Sequence, residues 1–458
     1  MADDPQRGPD DEFRDMLRKF LSGGSDIDPS QLAGAAGLPN DPAFVARLMG
    51  QLQDAVQKGG DGIDFSAAGD RAASIAKDGG EAVDPATSNA LLQAFQVAAL
   101  WLDDVTTVAE LTAAPRLMTR EQWASATMPV WSQVAEPVAT SIADALTEVI
   151  DQQAPEELKS MLSGASQIMR SVGGALFAMQ LGQVVGQLST EVVSGGDVGI
   201  PLLDEQQAAL VPQNVAAFAE GLDVPEDEVR IYLAVRELAH ARLFRSARWL
   251  RLHLITSITE FARGIHVDTS AVEDLASSFD PSNAEELQNA LASGALIPPR
   301  TPEQDQALAR LETMLALVEG WVDVVTAAAT ERLPRSSAIA EMVRRRRAAG
   351  GPAESAFATL VGLELRPRRL REAAAMWQQV TDELGAEQRD TLWSHPDLVP
   401  TSEDIDAPAS LVARLRDPQD ASDEIDRAIQ DLLDDTSDDR PHEATDGSAT
   451  EDDGRPSD

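Results

Sequence analysis

The 458-residue sequence contains no cysteine and few aromatic residues. Without cysteine, the chain cannot form disulfides, iron–sulfur clusters, thiol nucleophiles or cysteine-ligated zinc sites. Aromatic residues make up only 4% of the chain, and alternating runs of β-branched residues are almost absent. Any β-sheet must therefore be small, and the sequence predicts a mainly α fold.

Basic residues are also scarce, with 37 Lys and Arg against 77 Asp and Glu, for a net charge of −40. This excess of negative charge argues against DNA, RNA and anionic membranes as partners. The N-terminus shows no basic segment followed by an apolar one, so no secretory signal is expected. The most membrane-like stretch, 171–188, carries three glutamines and is typical of a buried helix. We therefore expect a cytoplasmic protein without membrane association.

Composition divides the chain into three segments. Residues 1–64 are rich in Asp, Gly and Pro and predict a loosely ordered N-terminal segment. Residues 65–415 show apolar residues at three- and four-residue spacings, which predicts one large helical domain divided at prolines such as Pro129. Residues 416–458 are strongly acidic and poor in apolar residues, which predicts a disordered tail.

The stretch most suggestive of chemistry lies at 226–250, where Arg236-Glu237-Leu-Ala-His240 stands inside a predicted helix. In the pattern H-E-x-x-H, two histidines four residues apart share one helix face and bind zinc, and the glutamate acts on the zinc-bound water. Here an arginine, which has no lone pair to donate, stands at the first histidine position. The alternative interpretation is an ordinary helix with a polar face.

A second apolar helix is predicted at 309–330 and contains Glu319 and Asp323, four residues apart on one face. A later helix with E-x-x-x-D spacing can supply a third zinc ligand and an acid that orients a ligand histidine. The alternative is that the two acids form a solvated edge.

Over most of residues 65–410 the sequence resembles a bacterial family of unknown function that is classed with zincin-like hydrolases. The matching segments include LGQVVGQLSTEVVSGGDVGIPL, VRELAHARLF and LALVEGWVDVVTAAA. The resemblance implies a zinc-peptidase-like fold, with Glu237 as the catalytic glutamate, His240 and Glu319 as metal ligands, and Asp323 as the acid behind them. Arg236 breaks the family's zinc pattern, so this chain resembles a branch with R-E-x-x-H.

Arginines are concentrated in one region and form a candidate anion patch, comprising Arg344, Arg345, Arg346, Arg347, Arg366, Arg368 and Arg369. Such a cluster can bind anionic ligands. The alternative is that these arginines pair with acids of this same protein, including its own tail.

Three functions follow from these patterns. The first is a zincin-fold protein with a degenerate metal site and a non-catalytic role in binding a protein or peptide, or as a scaffold. The second is an active zinc metallohydrolase with a substituted ligand set, and the third is a helical interaction protein that uses the arginine cluster. The cofactor is accordingly zinc or none. If the metal is replaced, Arg236 should lie within salt-bridge distance of Glu319 or Asp323, with His240 nearby, because a guanidinium can bond two carboxylates.

Overall fold

The computed structural model describes residues 63–77, 83–153, 174–175, 177–203, 207–220, 222–265, 300–348, 356–358, 360, 363 and 369–417. The segments predicted to be loosely ordered, 1–64 and 416–458, fall almost entirely outside these residues.

The described chain is mainly helical, as the sequence predicts. The helices are α1 (Ser66–Lys77), α2 (Pro85–Asp103), α3 (Arg120–Gln153), α4 (177–189), α5 (Pro212–Ala219), α6 (Glu226–Ser246), α7 (Arg248–Arg263), α8 (Pro302–Ala329), α9 (Ser336–Ala348), α10 (Leu370–Thr391), α11 (Ser402–Asp406) and α12 (Pro408–Arg416). A short 3-10 helix spans Pro396–Leu398.

The sheet is small, as expected. Strands β1 (Arg116–Leu117) and β2 (Ala209–Leu210) pair in parallel. Ser194 adds an isolated antiparallel bridge to Leu210. This pairing ties the loop that follows α4 to the strand beside α6.

Pro129 does not end a helix, contrary to the sequence prediction. It lies inside α3 together with Pro137. A proline inside a helix removes one backbone hydrogen bond, a cost that tertiary packing can offset. Here Val130 and Trp131, which follow Pro129, are both buried in the main hydrophobic core.

The core is organised around α6 and α8. Helix α6 begins after Pro225 with three acidic residues in its first turn, which complement the helix dipole. Helix α8 begins with a capping box between Thr301 and Gln304. Residues 232–244 of α6 and 315–326 of α8 are buried on every side. Five tryptophans are fully buried in the structure: Trp123, Trp131, Trp321, Trp377 and Trp393.

Helices α6 and α8 run antiparallel, and α9 contacts both. Arg236 of α6 contacts Glu319 of α8, whereas Glu228, two turns earlier in α6, accepts a hydrogen bond from the backbone N–H of Arg335 just beyond α8. The hydroxyl groups of Thr330 and Ser336 lie 3.0 Å apart where the chain turns from α8 into α9. Among the described residues, no helix is both long enough and apolar enough to cross a membrane.

Candidate functional site

Arg236, Glu237 and His240 lie in the middle of α6 and are buried. Their exposed fractions are 6%, 1% and 2%, and that of Glu319 is 1%. Arg236 and His240 are four residues apart and therefore share a helix face. This face is directed at α8, and the structure brings both residues to the carboxylate of Glu319.

Glu319 is the centre of the buried cluster. One guanidinium nitrogen of Arg236 contacts its Oε2 atom. Its Oε1 atom lies 2.7 Å from Nη1 of Arg347, which belongs to α9. His240 donates a hydrogen bond from Nε2–H to the same Oε1 atom over 3.0 Å. Two cations and a ring nitrogen from two other helices thus converge on one carboxylate.

The pKa shifts follow from burial and from these contacts. Burial by itself would raise the pKa of Glu319, but Arg347, His240 and Arg236 outweigh it, and the net pKa is lowered. Burial lowers the pKa of His240, and the partial opposing effect of Glu319 does not restore it. Glu319 is therefore an anion at neutral pH.

Glu237 points away from Glu319, toward the loop that follows α4. Its Oε2 atom accepts a hydrogen bond from the backbone N–H of Gly196, and its Oε1 atom accepts one from Ala209, both at 2.8 Å. Burial raises the pKa of Glu237 to about 7, although these two backbone donors and the Ser194 side chain oppose the rise. Both oxygens hold the loop and strand β2 in place.

The loop 194–199 covers the cluster at close range. A β-carbon on Gly196 would lie 2.9 Å from Cβ of His240. Gly199 has a φ of 82°, and a β-carbon there would lie 2.9 Å from Oε1 of Glu319. Only glycine allows this close approach, and only glycine adopts this φ without strain. The backbone of the loop therefore occupies the space above Glu319.

Asp323 is near Arg236 but forms its ion pair with another residue. Its carboxylate lies 3.0 Å from Nη1 of Arg344 in α9. It also influences Tyr232, whose pKa is raised to about 12 chiefly by burial. Of the two acids expected to face Arg236, the structure brings Glu319 into direct contact with it.

The arginines of the candidate anion patch that the structure describes all have acidic partners. Arg345 pairs with Glu341 at 2.8 Å, and Arg346 pairs with Asp197 at 3.2 Å. Arg369 pairs with Asp406. Arg344 and Arg347 reach Asp323 and Glu319, as described above, whereas Arg366 and Arg368 lie outside the described residues.

Comparison with known proteins identifies the architecture that holds this cluster. A family model described as zincin-like metallopeptidase matches residues 63–412, which is most of the chain. The chain belongs to the zincin-like metallopeptidase family. The resemblance read from the sequence is thereby confirmed.

A comparison with solved structures shows a protein with a similar fold. A crystal structure from Chloroflexus aurantiacus, described as a "putative hydrolase with a novel fold", has a TM-score of 0.50 to this zincin-like chain and 19% sequence identity. The match covers 77% of this chain and 99% of that one. Identity at this level shows a shared fold alone. A search of curated proteins found no match.

The residues of this zincin-like protein do not fit a zinc ion. A zinc site uses the lone pairs of histidine and carboxylate ligands, usually three from the protein in catalytic sites. Here Arg236 has no lone pair to donate to a metal. Nε2 of His240 is hydrogen-bonded to Glu319, and both carboxylate oxygens of Glu319 contact guanidinium groups. Across the described residues, no three His, Asp or Glu side chains are grouped so that they could hold a metal ion.

The other histidines lie away from the cluster or outside the described chain. His253 packs edge-on against Trp249 on α7. His395 accepts a hydrogen bond from the backbone N–H of Asp397 and caps the short 3-10 helix. His266 and His442 are outside the described residues.

Sequence reasoning missed two components of the site. The first component is the contact of Arg347 with Glu319. It cannot be predicted from the sequence, because nothing in a run of four arginines distinguishes the one whose side chain is directed into the protein. The second component is the covering loop at 194–199. Its pattern S-G-G-D-x-G between apolar segments is a usable signal, since closely spaced glycines mark a close backbone approach.

Proposed function

We propose that this protein is a zincin-fold module in which a guanidinium–carboxylate network replaces the metal centre, and that its role is to bind a partner rather than to catalyse hydrolysis. The observation that carries the proposal is the contact of the Arg236 guanidinium with the Glu319 carboxylate. A fixed cation at the first ligand position repels Zn²⁺ and occupies the carboxylate that would bind it.

The environment of Glu237 supports a non-catalytic role. In an active zincin the corresponding glutamate must act on a water molecule at the metal. Both oxygens of Glu237 instead accept backbone hydrogen bonds from Gly196 and Ala209. A carboxylate held in this way supports the loop and strand β2, which is a structural role.

The partner that we propose is a protein or a peptide, and the location is the cytoplasm. The net charge of −40 disfavours nucleic acid as the ligand. No observation favours the arginine cluster as an external binding surface, because its described members are paired with acids of the chain.

Hydrolysis of a mixture of fluorogenic peptides, with added Zn²⁺, tests this function. The full-length protein should show no turnover above buffer, and Glu237→Gln should behave identically. An activity that is present in the wild type and lost in Glu237→Gln would contradict the proposal and support an active metallohydrolase with a substituted ligand set.

A further inference from the structure

Arg347 enters the cluster from a separate helix. Arg236 and His240 both belong to α6, and Glu319 belongs to α8, whereas Arg347 is next to the last residue of α9. Its Nη1 atom lies 2.7 Å from Glu319, and its Nη2 atom donates a hydrogen bond to the carbonyl oxygen of Asp197 over 2.7 Å. The guanidinium thus lies in a pocket bounded by Glu319 and the covering loop.

The two guanidinium groups at Glu319 are not held equally. The Arg347 side chain is 14% exposed, whereas that of Arg236 is 7% exposed. The Nε atom of Arg347 is buried and has no hydrogen-bond partner within the described residues. Burial and then the charge of Arg236 lower the pKa of Arg347, against the pull of Glu319, whereas the pKa of Arg236 is raised. If Arg347 left, Glu319 would keep both Arg236 and His240 as partners. Arg347 is therefore the exchangeable cation.

Helix α9 is attached to the protein by a few buried apolar side chains and by several ion pairs. Its buried apolar side chains, among those described, are Ile339, Ala340 and Val343. Three arginines in its last turns reach acids on other elements, namely Asp323, Asp197 and Glu319. A helix with so few buried apolar groups relies on contacts that another cation of the same shape could make.

We propose that the space beside Oε1 of Glu319 is a guanidinium-binding site, that Arg347 is its built-in occupant, and that its external ligand is an arginine side chain of a partner peptide. The site offers a buried carboxylate and a backbone carbonyl, which match the planar donor fork of arginine. Arg347 is tethered, so it competes at high effective concentration and keeps the site filled until a partner displaces it. This inference rests on the proposed function, because it names the partner class of the same non-catalytic site.

Chemical rescue tests the pocket directly. Arg347→Ala removes the part of the side chain beyond the β-carbon, which has the structure of ethylguanidinium. The melting temperature of the full-length variant is then measured at increasing concentrations of ethylguanidinium and constant ionic strength. A ligand that binds only the folded state raises the melting temperature in a saturable way. We expect a rise of about 1–3 °C in Arg347→Ala at millimolar ligand. We expect no such rise in the wild type or in Arg347→Met, where the side chain fills the space.

A second pair of ligands tests the peptide class. The tripeptide acetyl-Ala-Arg-Ala-amide should stabilise Arg347→Ala, and the matched peptide with lysine should not, because lysine lacks the planar fork. If Arg347→Ala does not fold, Arg347→Gln keeps the aliphatic stem, and guanidinium ion itself becomes the probe. Equal rescue of Arg345→Ala, whose side chain is 69% exposed, would show a nonspecific effect and overturn the proposal.

All these titrations contain EDTA, so their result does not depend on metal. Rescue that fails in a protein free of zinc overturns the guanidinium site alone. Zinc-dependent hydrolysis by the wild type overturns the proposed function instead. Rescue by ethylguanidinium without any effect of the arginine peptide overturns the assignment of a peptide ligand.

Discussion

Removing Glu319 should destabilise the protein more than removing Arg236, although the two form one ion pair. Glu319→Gln leaves the guanidinium groups of Arg236 and Arg347 side by side in the interior with no anion between them. Breaking a buried pair so that charge is stranded costs roughly 3–5 kcal/mol. Arg236→Met strands no charge, because Glu319 keeps Arg347 and His240. It should lower the free energy of unfolding by about 1.5–3 kcal/mol, the range for the loss of a hydrogen bond to a charged group.

The matched control is Arg345→Met. Arg345 belongs to the same arginine run, but its side chain is 69% exposed and its partner Glu341 lies one turn away on the same helix. Surface pairs of this kind contribute about 0–1 kcal/mol. Urea unfolding, followed by the fluorescence of the buried tryptophans, measures the free energy of unfolding of each variant. If Glu319→Gln lowers the free energy of unfolding no more than Arg236→Met does, the interpretation of Glu319 as the anion shared by two cations is wrong.

Three further predictions follow from the site and the chain. Because burial raises the pKa of Glu237 to about 7 from its usual 4.5, the stability it contributes is present at low pH and is lost as pH rises through 7. As the pH rises from 4.5 to about 7, the free energy of unfolding should therefore fall by on the order of 3 kcal/mol relative to that of Glu237→Gln. Parallel pH curves for the two proteins would refute this. Gly199→Ala should lower the free energy of unfolding more than Gly385→Ala does, because both glycines have positive φ but, of the two, Gly199 alone has a neighbour within 4 Å of the added β-carbon. Equal decreases, roughly 1 kcal/mol each, would mean that backbone strain alone matters. A chain ended at residue 417 should melt within a few degrees of the full protein, because the acidic segment beyond it is too poor in apolar residues to offset its ordering entropy; a large drop would show that this segment docks.

The sequence predicted the fold class and the helices that carry the cluster, because both depend on local signals. Apolar spacing, acids in a first turn and a shortage of β-branched runs suffice to place α6 and α8 in a helical protein. The prediction that Arg236 faces Glu319 came from the family resemblance, which implies that the two helices pack together although these residues are 83 positions apart in the sequence.

The sequence could not predict which of several similar residues form the contacts between helices that are distant in the sequence. Any of four consecutive arginines could have reached Glu319, and only the position of α9 selects Arg347. Asp323 could have paired with Arg236, but Arg344 lies closer to it. Pro129 stays within a helix because the buried neighbours that follow it stabilise α3, and no local pattern reveals that packing.

The zinc content of the purified protein tests the central claim most directly. Full-length protein, prepared without chelators and without metal-affinity resin, is analysed for metals beside His240→Ala. A site in which Arg236 and Arg347 neutralise Glu319 predicts well under one equivalent of zinc in the wild type and no change in the variant. One equivalent of zinc in the wild type, lost in His240→Ala, would contradict the replacement of the metal by guanidinium groups.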